Sequence, residues 1–236
     1  MTQRERSAII TGGGYGIGRA AALMLAQDGW SIVIVDRDPE RAEGACQTII
    51  EKGGMAAAVA GDVTKSETFA EAVRKANAFA PVQGLVTCAA MRHAGAITAI
   101  TEEQWRETLD VILNGVFLAC KAVIPEMKAA GGGSIVNVSS PDAFARRNMV
   151  AYASGKAAVN VLSQCLALDH MADGIRVNTV FPGFTLTGMN EHYDKSRIDE
   201  AASRMVAGRV AEPEETAAII RFLMSPQAET MTGGFY

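Results

Sequence analysis

Tyr152 and Lys156 are one helical turn apart in the stretch Tyr-Ala-Ser-Gly-Lys, a spacing that lets a phenol and an ammonium share a proton-transfer task. The stretch follows an apolar run ending in Ser139-Ser140 and opens an alanine-rich run, reaching Ala172, that reads as helix. Positions i and i+4 of a helix share a face, so the two side chains stand side by side. A neighbouring cation favours the phenolate and draws the ordinary tyrosine pKa of about 10 toward neutrality. That pair is a candidate proton shuttle. A surface tyrosine and lysine on an ordinary helix have the same spacing, and only the rest of the chain can choose between the two readings.

The bulk composition narrows the function classes. With 236 residues, of which 49% are apolar, and no linker or low-complexity tract, the chain reads as one domain, 1–236, with a sizeable core. A net charge of −4 gives no sign of a nucleic-acid surface. No apolar run approaches the ~20 residues of a membrane span, and the first residues lack a secretory core, so a cytoplasmic protein is expected. Cys46, Cys88, Cys120 and Cys165 are scattered without zinc spacing, and the three histidines are far apart. No metal site is expected.

Short apolar runs alternate with helical patterns. Strands are predicted at Ser7–Ile10, Ser31–Val35, Met55–Ala60, Leu85–Ala90, Ser134–Ser139 and Arg176–Phe181. Helices are predicted at Ile17–Asp28, Pro39–Lys52, Ser66–Ala78, Glu102–Ala129, Tyr152–Ala172 and Glu212–Met224. Strands that are apolar throughout and alternate with helices indicate a parallel sheet covered on both faces, an α/β doubly wound, Rossmann-like fold of three layers. Ligands of such sheets bind beyond the carboxyl ends of the strands. There the chain places Gly12–Gly18, Asp36, Asp62, Ala89-Ala90, Ser140 and Pro182-Gly183.

The first of these ends is a glycine turn, Thr11 to Gly18. The pattern GxGxxG fails because Ile17 stands where glycine is needed, but GxxxGxG fits Gly12, Gly16 and Gly18, with Tyr15 and Ile17 between them. Glycine allows a positive-φ turn or close approach to a phosphate. The helix N-terminus that follows offers free N–H groups to a pyrophosphate. About 20 residues further on, Asp36 can accept hydrogen bonds from an adenosine ribose and repel a 2′-phosphate, favouring NAD over NADP. Arg37 beside it could instead pair with that phosphate. Asp62-Val63 could contact the adenine, or Asp62 could cap the following helix.

Together these residues resemble the short-chain dehydrogenase/reductase family in its single-domain form, over essentially the whole chain. The matching segments are Thr11–Gly18, Asp36, Asp62-Val63, Asn114-Gly-Val-Phe117, Ser134–Ser140, Tyr152-x-x-x-Lys156, Arg176-Val-Asn178 and Pro182-Gly183 with Thr187. The resemblance implies that Tyr152 is the acid/base and that Lys156 lowers its pKa and holds the nicotinamide ribose. It implies that Ser140 orients the substrate oxygen, and that Asn114, at a helix kink, keeps a water in the proton relay. Pro182, Gly183, Thr185 and Thr187 would contact the nicotinamide, and Ala89 and Ala90 would lie near the adenosine ribose.

Three departures stand out. Thr87-Cys-Ala-Ala90 replaces the family's Asn-Asn-Ala-Gly, so a core hydrogen bond must be made by another residue, with Thr87 the candidate, and Ala90 adds a methyl near the ribose. The motif position favours Ser140 as the active serine, whereas the spacing to Tyr152 would favour Ser139. After Thr232-Gly233-Gly234 the family usually runs on through a final strand and a glycine-rich tail, whereas the sequence stops at Tyr236. Either that strand is abbreviated or the sequence is truncated, which bears on the expected tetramer or dimer built on the two long helices.

The expected reaction interconverts a secondary alcohol and a ketone. The alternatives are an NADPH-dependent 3-oxoacyl-thioester reductase and a non-catalytic NAD-binding regulatory protein. Pocket residues are expected from Met91–Gly95, Pro141–Val150 and Phe184 onward, with a helical lid within about 188–210. Arg92, His93, Arg146 and Arg147 make two of these loops basic, either for an anionic substrate or as solvated charge.

Overall fold

In the computed structural model, residues 6–188 and 193–236 are described. Six parallel strands form one sheet: β1 (Ser7–Thr11), β2 (Ser31–Asp36), β3 (Ala56–Ala60), β4 (Val82–Thr87), β5 (Gly133–Val138) and β6 (Ile175–Val180). Their spatial order is β3-β2-β1-β4-β5-β6. The helices are α1 (Gly16–Gln27), α2 (Pro39–Glu51), α3 (Ser66–Phe79), α4 (Glu102–Leu109), α5 (Gly115–Ala129), α6 (Val150–Asp169), α7 (Lys195–Ser203) and α8 (Pro213–Leu223). The strand order reverses between β1 and β4, opening a crevice at the carboxyl edge of the sheet.

Successive strand residues face opposite layers, and both layers are apolar. Ile9, Val33, Leu85, Ile135 and Val177 pack with Phe69, Val116, Val123 and Val159 on one side. Ile10, Ile34, Val86 and Val136 pack with Leu25, Ile49, Ile220 and Leu223 on the other. Local signals start several helices: Asp38 caps α2 through the N–H groups of Glu40 and Arg41, with Pro39 in the first turn, and Thr101 and Gln104 form a capping box on α4.

Two elements differ from the sequence expectation. The fourth strand ends at Thr87, not Ala90, because beyond Cys88, whose N–H still reaches the Thr11 carbonyl, Ala89 turns its N–H to the Thr11 hydroxyl at 3.3 Å and leaves the sheet. The long helix Glu102–Ala129 is interrupted by a π-helical turn at Asp110–Asn114. By length and composition alone this stretch could cross a membrane, but α5 buries Val116, Ala119, Val123, Ile124 and Met127 in the core. Residues 233–236 run parallel beside β6, with Thr179 donating to the Gly234 carbonyl at 3.0 Å and Phe181 to that of Tyr236 at 2.7 Å.

The core hydrogen bond expected of Thr87 is present. Its hydroxyl donates to Asn137 Oδ1 at 2.8 Å, and Asn137 Nδ2 donates to Ser163 on α6 at 2.9 Å. This buried chain ties β4, β5 and α6 together at the carboxyl end of the sheet.

Candidate active site

Tyr152 and Lys156 lie on the buried face of α6, 8% and 3% exposed. Lys156 Nζ donates to the Val138 carbonyl at 2.6 Å, at the end of β5, and lies 5.9 Å from the centre of the Tyr152 ring. The next two residues point opposite ways, as extended backbone requires. Ser139 donates to the Lys156 carbonyl at 3.3 Å and is buried behind α6. The Ser140 hydroxyl faces the Tyr152 phenol closely enough to lower its pKa. Its oxygen already accepts the Asp142 N–H at 3.1 Å, so its one proton is free to donate to the phenol. Geometry therefore separates the two serines.

The electrostatics differ from the sequence expectation. The Tyr152 pKa is raised, first by burial of the phenol, with the Ser140 hydrogen bond working in the opposite direction. Asp142 raises it further, and the charges of Arg92 and Arg146 lower it. Burial outweighs every nearby cation because a phenolate here loses its hydration. Lys156 is itself pushed down to about 8 by burial, with Cys88 opposing. The Cys88 thiol is pushed up to about 12 by burial, against the pull of Lys156. The cleft around this pair is poorly hydrated.

Asn114 lies at the helix irregularity that the resemblance implies. The helix irregularity is present, but Asn114 is exposed and its amide donates to Asp110 at 2.6 Å. It makes no hydrogen bond to Tyr152, Lys156 or Ser140. The inward position of the π turn belongs to Ile112, which is fully buried, and a methyl built on Gly155 would lie 3.1 Å from its Cγ2. The i→i+5 bonding of the π turn inserts a residue into the helical repeat, a change that sequence spacing alone does not reveal.

The glycine turn faces this pair across the crevice. Gly12 has φ +62°, and a Cβ there would lie 2.8 Å from the Ala89 nitrogen. Gly16 has φ +55°, and a Cβ there would lie 3.1 Å from Thr187 Cγ2, so the segment after β6 meets the first turn. Gly18 is buried against the Gly12 backbone, and Ile17 packs toward the core. Tyr15 stands at the N-cap of α1, half-exposed, with no side-chain cap on the helix and the Arg41 guanidinium 4.8 Å over its ring. The Asp36 carboxylate accepts the Gly14 N–H at 3.0 Å and the Asp38 N–H at 3.1 Å, which holds it at the lip of the turn. Arg37 is exposed.

Around this cleft, Val63 is buried beside Gly115, and Asp62 is exposed, with its carboxylate accepting the Thr64 N–H at 2.8 Å in a turn. Ala90 is half-buried beyond β4. Pro182 is half-buried, Gly183 is exposed, and the buried Thr185 hydroxyl donates to the Gly183 carbonyl at 3.0 Å. The uncapped N-terminus of α1, the close-approach glycines and the Asp36 carboxylate fit a dinucleotide, with the pyrophosphate at α1 and the ribose at Asp36.

The opposite wall is aromatic and basic. Phe144 stacks on Phe181 at 5.5 Å, and Phe235 meets Phe181 edge-on at 5.4 Å. Arg146 pairs with Asp142 at 3.1 and 3.2 Å, and His93 meets Glu107 at 2.9 Å. Ala145, with φ 135°, holds the Pro141–Phe144 turn in a strained conformation next to Ser140. Arg92 donates to the Tyr193 hydroxyl at 3.0 Å, a contact between loops 101 residues apart that no local pattern signals. Of the expected lid, α7 is helical and buries no residue, and 189–192 lie outside the described residues. A groove of about 470 Å³ lies beyond this wall, between Ile97, Phe144 and the Ala153–Ala157 side of α6, and neither Tyr152 nor Lys156 lines it.

Comparison with known proteins agrees with this architecture. Residues 6–198 match the family model described as short chain dehydrogenase. The chain is 34% identical to a cyclohexanol dehydrogenase of Acinetobacter sp. (strain SE19), covering 98% of this chain and 92% of that protein. It is 36% identical to a cis-4-hydroxycyclohexanecarboxylate dehydrogenase of Sinomonas cyclohexanicum, covering 97% and 93%. A crystal structure of a single-residue variant of actinorhodin polyketide ketoreductase with NADPH superposes with a TM-score of 0.92 at 27% identity, covering 98% of this chain and 94% of that one. The chain therefore belongs to the short-chain dehydrogenase/reductase family and is an oxidoreductase acting on CH–OH groups.

Proposed function

We propose that this protein is an NAD-dependent dehydrogenase that interconverts a secondary alcohol and a ketone, with Tyr152 as acid/base. The observation that carries the reading is the burial of Tyr152 and Lys156 on one face of α6, with Lys156 anchored on the Val138 carbonyl and Ser140 facing the phenol. A bound nicotinamide supplies the hydride acceptor or donor. Tyr152 exchanges a proton with the substrate oxygen, and the Ser140 hydroxyl orients that oxygen. Lys156, at about 8, is still mostly protonated at neutral pH and places positive charge where the phenolate forms.

NAD is supported by the Asp36 carboxylate, held by two backbone N–H groups where a 2′-phosphate would have to sit. The relatives named for cyclohexanol and for a hydroxycyclohexanecarboxylate support a cyclic secondary alcohol as substrate. Exposed Phe117, Val161 and Leu168 on α5 and α6 support a homo-oligomer, dimer or tetramer, built on those helices. Light scattering in solution tests the assembly, and a monomer at micromolar concentration would refute it.

The test of the chemistry is nicotinamide absorbance with both cofactors and the two ring alcohols, for the wild type and Tyr152→Phe. General acid–base catalysis contributes ~10²–10⁴-fold. Tyr152→Phe is therefore expected to bind NAD normally and lose at least ~10²-fold in kcat; retained turnover would overturn the assignment.

A further inference from the structure

We propose that Arg92 is the anchor for an anionic group, a carboxylate, on the substrate of this site. The inference rests on the dehydrogenase reading for its substrate and reaction, and on independent geometry for its site.

Arg92 lies in the loop beyond the carboxyl end of β4. It is half-buried, and among the described residues it has no carboxylate partner. Its one side-chain hydrogen bond goes to a neutral acceptor, the Tyr193 hydroxyl at 3.0 Å. The other basic residues with a facing acid are neutralised: Arg146 by Asp142 at 3.1 Å, and His93 opposite Glu107 at 2.9 Å. The Arg92 charge also acts on the Tyr152 phenol, which places it within electrostatic reach of the reacting oxygen.

Tyr193 sets the orientation of the guanidinium. Its ring is flanked by Phe184, 6.0 Å away, and by the Arg197 guanidinium, 4.4 Å away. One edge of the Arg92 fork is fixed on the Tyr193 oxygen, and the remaining N–H groups are left for a planar, bidentate acceptor, which a carboxylate provides. A partly desolvated arginine without an acid is costly unless a ligand completes it. A neutral cyclic alcohol leaves that cation unpaired, and an alcohol carrying a carboxylate pairs it. The chemistry therefore selects the acid-bearing alcohol.

The selectivity is read as the ratio of kcat/KM for cis-4-hydroxycyclohexanecarboxylate to that for cyclohexanol. Arg92→Gln is expected to lower this ratio roughly 30-fold or more, chiefly through KM. Arg92→Lys, which keeps the charge and loses the fork, should fall between. Tyr193→Phe loses the bond that orients the fork but keeps the guanidinium, so it should lower the ratio by less than Arg92→Gln does. If Arg92→Gln lowers both substrates equally, Arg92 only ties two loops together and the proposal fails. The anion site is read separately by calorimetric titration of unreactive cyclohexanecarboxylate into the NAD-bound protein. Binding weakened at least tenfold by Arg92→Gln supports it even if neither alcohol is turned over, a result that would sink only the dehydrogenase reading. Absent or unchanged binding overturns the anchor.

Discussion

Lys156 donates to the Val138 carbonyl at 2.6 Å from a position that is 3% exposed, so its ammonium is held by one backbone oxygen in a site that otherwise excludes water. Burial brings its pKa down to about 8. Between that value and the ordinary lysine value the folded protein holds fewer protons than the unfolded chain, and this group's contribution makes stability rise with pH. Tyr152, whose pKa is raised, acts in the opposite direction only above about pH 10. Thiols raised to about 12 act the opposite way above about pH 9 in both proteins, so the expected result is a more positive pH slope of the urea midpoint for the wild type than for Lys156→Met between about pH 8 and 10, worth at most on the order of 3 kcal/mol. An equal slope in both proteins would contradict it.

Asp36 should govern the choice of cofactor. Asp36→Ala removes the carboxylate that disfavours a 2′-phosphate, and the NAD:NADP ratio of kcat/KM is expected to fall at least tenfold, equivalent to about 1.4 kcal/mol. The Gly14 and Asp38 N–H groups lose their acceptor in the same change, so a stability loss of about 1 kcal/mol should accompany it. Steady-state kinetics with each cofactor and chemical denaturation check both.

Thr87→Val should destabilise the protein by roughly 1–3 kcal/mol, because it leaves Asn137 Oδ1 buried without its donor. Thr87→Ser keeps the hydroxyl and is expected to recover most of that loss. Equal urea midpoints for the valine and serine variants would show that the bond contributes nothing.

Asn114 and Ser140 should part company in kinetics. Asn114→Ala, at an exposed position bonded to Asp110, is expected to leave kcat within about twofold. Ser140→Ala removes the donor facing the phenol and should lower kcat by roughly 10²-fold or more. A large kcat loss in Asn114→Ala would restore that residue to the proton relay.

The architecture and the cofactor turn were legible along the chain because their causes are local. Apolar runs between helical patterns dictate a covered parallel sheet, and Gly12, Gly16 and Gly18 mark a turn that a side chain would obstruct. The Tyr152–Lys156 spacing announced a shared helix face, and Thr87 could be identified as the replacement donor. Packing decided the rest. Strand alternation shows which serine faces the phenol only once the end of β5 is placed. The π turn buries Ile112 and leaves Asn114 exposed, and burial reverses the expected direction of the Tyr152 shift because desolvation depends on every surrounding layer. Arg92 meets Tyr193 across 101 residues, and only the fold shows that among the described residues this arginine lacks the acid its neighbours have.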